Sequence, residues 1–269
     1  MSGIALLAPD WPAPPGVHAL FTLRGQGAGE GASHGAHGAF NLGDHVDDDP
    51  AAVRANRARL AERLQARPVF LHQVHGAQTV VLHADTPDGA SADAALTDAP
   101  GLACTVLVAD CLPILLTDTC GRRVAAVHAG WRGLAGGVLE RCLEQFLAPA
   151  LDGRAQDALQ IRADEVMAWL GPCIGPQAFE VGAEVLAAFT AADAQAGACF
   201  DPRGAGKHLA DLPALARQRL ARLGVTRLYG NDSGPAWCTV GNPQHYFSYR
   251  RDQQRLGGSS RMAACIWRT

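Results

Sequence analysis

The chain has 269 residues, 48% hydrophobic and 18% charged, with a formal net charge of -3. That suffices for a sizeable soluble core and leaves no basic field to concentrate on nucleic acid or an anionic membrane. No apolar stretch reaches the roughly 18 residues of a membrane span, and the opening MSGIALLAPDWPAPPG lacks the positive flank of a secretory signal.

Val17 to Leu23 is rich in strand formers, and a Gly/Ala/His-rich loop follows from Gly25 to Gly38. Its His34 and His37 read as solvated loop histidines. A helix opens with Asp48 or Asp49 as cap and Pro50 in its first turn, carries Val53, Leu60 and Leu64 on one face, and ends before Pro68. Short strands at Val69 to Leu71 and Thr79 to Leu82 flank HQVHGAQ, and the polar loop ADTPDGASAD follows.

Ala103 to Val108, Ile114 to Thr117 and Val124 to Val127 are apolar throughout, which predicts strands buried on both faces. Gly133 to Leu147 carries a helical apolar stripe and packs on that sheet. Val166 to Leu170 is a further strand, GPCIGP a loop, FEVGAEVLAAF a helix, Ala210 to Leu223 another helix and VTRLYG a strand. The aromatic or apolar runs HYFSYRR and RMAACIW close the chain. With no linker, repeat or low-complexity block, one mixed α/β (α+β) layered domain over 1–269 is expected. Eight cysteines, 104, 111, 120, 142, 173, 199, 238 and 265, lie scattered mostly in apolar runs. They read as reduced thiols of a cytoplasmic protein, with Cys173 as packing.

Three side chains at strand ends or in adjacent loops carry the chemistry: His75, Cys111 and His128. A thiolate with two imidazoles matches a catalytic zinc, whose fourth position stays open. The same cysteine and His128 could instead form a nucleophile and base. Spacing alone leaves both open, and a core cysteine with hydrogen-bonded histidines would look the same.

HQVHG, TVLVADCLPILL, VAAVHAGWRG, LGPCIGPQAFEVG, FSYRRD and RMAACIW occur in an order and spacing that resemble the YfiH-like family, also called the laccase-domain or polyphenol-oxidase family. The resemblance runs from about Val17 to the last strand. It implies a sandwich related to the catalytic domain of cytotoxic necrotizing factors. It implies zinc, rather than copper, held by His75, Cys111 and His128, with His72 outside the motif. It also implies phosphorolysis of adenosine, inosine, guanosine and methylthioadenosine, and deamination of adenosine. Phosphate is then a co-substrate, and a monomer acting on purine nucleosides is expected.

Arg132 and Arg24 are the candidates to hold the phosphate, and Asn41, Arg250 and Arg251 to reach substrate. Asp110 is a candidate to orient a ligand histidine and Glu180 to meet a buried partner. Two segments depart from the family pattern: the loop GQGAGEGASHGAHGAFNLG, and the long turn DQQRLGGSSRMA, which leaves the register of Arg261 open. Competing readings are a cysteine hydrolase or deamidase using Cys111 and His128, a copper polyphenol oxidase, which needs HxH patterns absent from this sequence, and a metal-stabilised binding module.

Overall fold

A computed structural model describes residues 3–25, 30–151 and 160–269; part of the Gly25 to Gly38 loop therefore lies outside the described residues. The chain opens with β1 (Leu6–Leu7) and β2 (Val17–Thr22). Helix α1 (Pro50–Leu64) starts where expected. The Asp49 carboxylate accepts from the Ala51 N–H, Pro50 fills a first-turn position that needs no N–H, and Gln65 ends the helix in the left-handed region. Next come β3 (Arg67–Phe70), β4 (Thr79–Val81), β5 (Ala94–Thr97), β6 (Leu102–Val108), β7 (Leu112–Asp118) and β8 (Val124–Ala129). Every residue of β6, β7 and β8 is buried, as their continuous apolar composition requires.

The helix expected from Gly133 to Leu147 is two pieces, α2 (Trp131–Ala135) and α3 (Val138–Leu147). Gly137, at φ 89°, breaks it with a conformation that side-chain-bearing residues rarely adopt. β9 (Val166–Leu170) forms as expected. The segment read as a helix from Phe179 begins instead with β10 (Glu180–Gly182), and α4 (Ala183–Thr190) starts after Gly182. The hairpin β11 (Phe200–Gly204) and β12 (Lys207–Ala210) precedes α5 (Leu212–Arg222) and β13 (Arg227–Gly230). The HYFSYRR run leads into α6 (Tyr249–Leu256), capped by the Ser248 hydroxyl, before β14 (Met262–Arg268).

Three sheets result. One orders β1-β2-β14-β6-β3, the second β13-β9-β7-β8-β5-β4, and β10-β12-β11 form a small antiparallel third. In the first, β3 runs parallel to β6; in the second, β4 to β5 and β13 to β9; the other pairs are antiparallel. The two large sheets pack face to face. Cys104, Val106 and Val108 of β6 and Met262, Ala264 and Ile266 of β14 meet Leu115, Val124, Ala126 and Trp169.

The outer face of the second sheet, with Ile114, Leu116, Ala125 and Val127, is covered by α3, α4 and α5. That of the first, with Leu107, Ala263 and Cys265, is covered by Leu60 and Leu64 of α1. This is the layered α/β sandwich anticipated from the sequence. Because side chains alternate along β8, His128 shares the inter-sheet side with Val124 and Ala126. It stands near the strand's end, so the seam between the sheets opens onto it.

Candidate metal centre

Three chain segments converge at that end of the sandwich. His75 sits in the loop between β3 and β4 and holds φ 58°, a left-handed conformation rare for a residue with a side chain. Cys111 lies in the tight connection from β6 to β7, next to Asp110 at φ 83°. One ligand atom from each of His75, Cys111 and His128 falls within 4.8 Å of the others. Cys111 Sγ is 3.8 Å from His75 Nε2, and the two imidazoles meet edge to face at 4.8 Å between centroids. A tetrahedral ion with a thiolate at ~2.3 Å and imidazoles at ~2.0 Å separates such atoms by roughly 3.3 to 3.6 Å, slightly closer than the 3.8 Å between Cys111 Sγ and His75 Nε2.

Gly130 floors the cluster. A methyl group there would lie 3.0 Å from Cys111 Sγ and 3.1 Å from His75 Cδ2. The absence of a side chain thus leaves the three donors free to face one point, and the donor set fits a zinc-sized cation.

Asp93, fully buried at the head of β5, organises the cluster. Its Oδ1 accepts from His128 Nδ1 at 2.8 Å and from the His75 N–H at 3.0 Å. Its Oδ2 accepts from the N–H of Gly76 at 2.7 Å and of Val74 at 3.2 Å. One carboxylate therefore fixes both the loop bearing His75 and the imidazole of His128, turning Nε2 toward the cluster. Burial opposes its ionisation, but the hydrogen bonds from His128 and the amides outweigh this and hold its carboxyl below the usual range. Gln73 anchors the same loop to β6 by donating to the Leu107 carbonyl at 2.8 Å and accepting from its N–H at 2.7 Å.

Burial disfavours the Cys111 thiolate, yet the His128 charge beside it, aided by hydrogen bonds from both imidazoles, lowers its pKa to about 6. For His128 burial is likewise outweighed, by the Cys111 thiolate and Asp93, and its pKa rises to about 9. Near neutral pH and without a metal, both shifts favour a thiolate beside an imidazolium. A thiolate is the species that either a metal or nucleophilic chemistry requires.

The cluster opens into a cleft of about 470 Å³ whose walls include Trp131, Phe179 and Tyr249 and the arginines Arg132, Arg250 and Arg261. Arg132 is exposed and stacks on Trp131, 4.4 Å from the ring centroid. Arg250 donates to the carbonyl of Glu180 at 3.2 Å and lies 5.8 Å from the Phe179 ring centroid.

Four residues expected at the site stand otherwise. Arg24 is spent on the Pro243 carbonyl at 2.6 Å and on the Phe247 ring, away from the cleft lining. Arg251 is consumed by the carbonyls of Thr239 and Tyr246 and by Asp252. Asn41 is fully buried and turns inward: its Oδ1 accepts from the N–H of Gly43 and of Arg261, and its Nδ2 donates to Asp48. Glu180 is exposed, and its carbonyl, not its carboxylate, meets Arg250.

Asp110 does line the cleft, but the histidine-orienting role belongs to Asp93. Asp110 accepts instead from Thr239 Oγ1 at 2.5 Å, Ser248 Oγ at 3.1 Å and the Arg250 N–H at 2.6 Å, which ties the Cys111 connection to the start of α6. Burial raises its pKa, and those hydrogen bonds only partly offset the rise. Asp93, Gln73, His45, Trp131, Tyr249 and Arg261 are the contributors that motif reading did not assign a role.

Known proteins resemble the chain along nearly its whole length. Residues 18–269 match the family model described as "Multi-copper polyphenol oxidoreductase laccase". A Pseudomonas aeruginosa protein named purine nucleoside phosphorylase is 46% identical over 264 residues, 98% of each chain. Purine nucleoside phosphorylase YfiH of Escherichia coli is 43% identical, covering 97% of this chain and 98% of its own. Among solved structures, a Neisseria meningitidis protein superposes with TM-score 0.84 at 43% identity over 98% of both chains. YlmD of Geobacillus stearothermophilus superposes with TM-score 0.84 at 29% identity, over 98% of this chain and 96% of its own.

Proposed function

The chain belongs to the multi-copper polyphenol oxidoreductase laccase family, and from that premise we propose that it is a zinc-dependent purine nucleoside phosphorylase. Its substrates are adenosine, inosine, guanosine and methylthioadenosine, and it deaminates adenosine at the same centre. The observation that carries this reading is the cluster of His75, Cys111 and His128 at the head of an arginine-walled, aromatic-walled cleft. The names of the relatives supply the nucleoside.

Zinc at three protein ligands supplies Lewis acidity at an open fourth position. The protein's own groups do the rest. Asp93 fixes the imidazole of His128 and the backbone of the loop bearing His75 before substrate arrives, so little reorganisation is needed. The faces of Trp131 and Tyr249 offer a flat apolar seat to a purine. The guanidinium groups of Arg132 and Arg250 offset the charge of phosphate as it approaches the ribose. Copper oxidase chemistry of the multicopper kind needs several metal positions, whereas among the described residues one group of ligands is available. Unpaired thiols at all eight cysteines suit the reducing cytoplasm, and we place the enzyme there as a monomer.

The test is zinc content together with phosphate-dependent release of purine base in Cys111→Ser and His75→Ala, with circular dichroism to confirm folding. Both variants are expected to lose metal and turnover together. The lowered Cys111 pKa equally suits a nucleophile, so a folded Cys111→Ser with full zinc and no activity would favour the cysteine hydrolase. A folded, active His75→Ala would overturn the three-ligand centre.

A further inference from the structure

We infer that Arg261, with His45 at the cleft rim beside it, forms a seat for a phosphate group facing the metal cluster. This rests on the phosphorylase reading above for its role in turnover, but not for the binding itself. Arg261 precedes β14 and lines the cleft together with His75 and Cys111. It is partly buried and has no carboxylate partner among the described residues. One end of its guanidinium, Nη1, donates to the carbonyls of Ser259 and Ser260 at 2.5 and 3.3 Å. Its remaining N–H groups have no protein acceptor among the described residues.

An arginine held in a partly buried wall without an ionic partner is the arrangement that binding of an anion completes. Acidic residues nearby are already engaged. Asp44 pairs with Arg57 at 3.2 Å, and Asp110 accepts from Thr239, Ser248 and the Arg250 amide. His45 directs Nδ1 toward Asp44 at 3.4 Å, so its Nε2 donates to an anion only in the protonated ring. Burial and then the positive charge of Arg261 lower the His45 pKa, and an anion bound between them would offset that charge.

The seat is built rather than incidental. The Arg261 N–H donates to the Asn41 side chain at 2.9 Å, and its carbonyl accepts from the Leu42 N–H at 3.2 Å. Gly43 leaves room for the side chain to pass: a methyl group there would stand 2.7 Å from Arg261 Cγ. The turn Asn41 to Gly43 is therefore a mould for Arg261, which gives Asn41 a positioning role in place of a direct contact with substrate.

Two sources could fill the seat, free phosphate or the 5′-phosphate of a nucleotide, and the experiment separates them. Zinc-loaded wild type, Arg261→Gln, Arg261→Lys and Gly43→Ala are titrated calorimetrically with inorganic phosphate, adenosine 5′-monophosphate and adenosine, with zinc content checked in each. Arg261→Gln is expected to weaken phosphate binding about 10- to 100-fold, the loss of a charged hydrogen-bond donor pair. Arg261→Lys should fall between, Gly43→Ala should follow Arg261→Gln by displacing the same side chain, and adenosine should bind all four alike. Weakening confined to the monophosphate would assign the seat to nucleotides. Arg261→Gln that is folded, zinc-replete and binds both anions as wild type does would overturn the seat. Wild type that binds phosphate through Arg261 but releases no base would overturn the phosphorylase and leave the seat standing.

Discussion

Replacing Asp93 with asparagine changes one oxygen to an NH2 group in a site where both oxygens already accept two hydrogen bonds. Asparagine has two orientations, and each fails two donors. With its oxygen toward Gly76 and Val74, the His128 Nδ1–H faces an amide nitrogen. The imidazole must then shift its proton to Nε2, the atom offered to the metal. With its oxygen toward His128 and the His75 amide, the Gly76 and Val74 amides lose their acceptor and the loop carrying His75 is released. At about 1 to 3 kcal/mol for each buried donor left unpaired, the metal-free protein should lose roughly 2 to 6 kcal/mol. Zinc affinity should fall about 10- to 100-fold, since the partner that orients a ligand is gone. Urea unfolding of the metal-free form and competition with a chromophoric chelator read the two quantities separately. A folded Asp93→Asn with wild-type stability and zinc affinity within about twofold of wild type would refute the idea that this carboxylate organises the centre.

Gly130→Ala places a methyl group against Cys111 Sγ and His75 Cδ2. It should weaken zinc binding while leaving the circular dichroism unchanged, and unaltered metal content would contradict the tight floor. In the metal-free protein Cys111 should titrate at about 6 rather than near the ordinary thiol value of 9.0. Because its folded pKa is depressed, the thiolate's stabilising contribution is complete above the unfolded value and is lost as pH falls through about 6. Ultraviolet thiolate absorbance against pH in wild type and Cys111→Ser measures this, and a difference titration centred near 9 would refute it. Thiol counting under denaturing, non-reducing conditions should return all eight cysteines as free; a deficit of two would reveal a disulfide.

The strands that bury both faces were legible because their composition leaves little choice: β6, β7 and β8 have no polar face to show to water. Cys111 and His128 were legible for the same reason, as reactive side chains interrupting apolar runs. Asp93 was not. It closes a polar stretch that reads as loop, and its importance comes from three amides and an imidazole that strand pairing brings to it from elsewhere in the chain. Its position immediately before the apolar run AALT was the one local sign that its carboxylate would be buried.

Helix α6 left a clearer sign. Ser248 before a charged stretch and Gly257 after it are a cap and a stop. The split between α2 and α3 likewise stood in the sequence as Gly136 and Gly137. Arg24 stood out by its place after the first strand and Arg251 by the YRRD motif, and neither says whether a guanidinium faces a cleft or ties down backbone carbonyls.

The three donors draw on both large sheets. His75 follows β3 of the first, Cys111 bridges β6 of the first to β7 of the second, and His128 ends β8 of the second. An ion gripped by all three is a clasp across the mouth of the sandwich, and it can close only after the two halves have met. Metal capture would therefore be a late event, since a chain with one sheet made offers no complete grip to an ion. In refolding followed with a zinc indicator, uptake should lag behind the far-ultraviolet signal, and uptake that leads it would place the clasp before the sandwich.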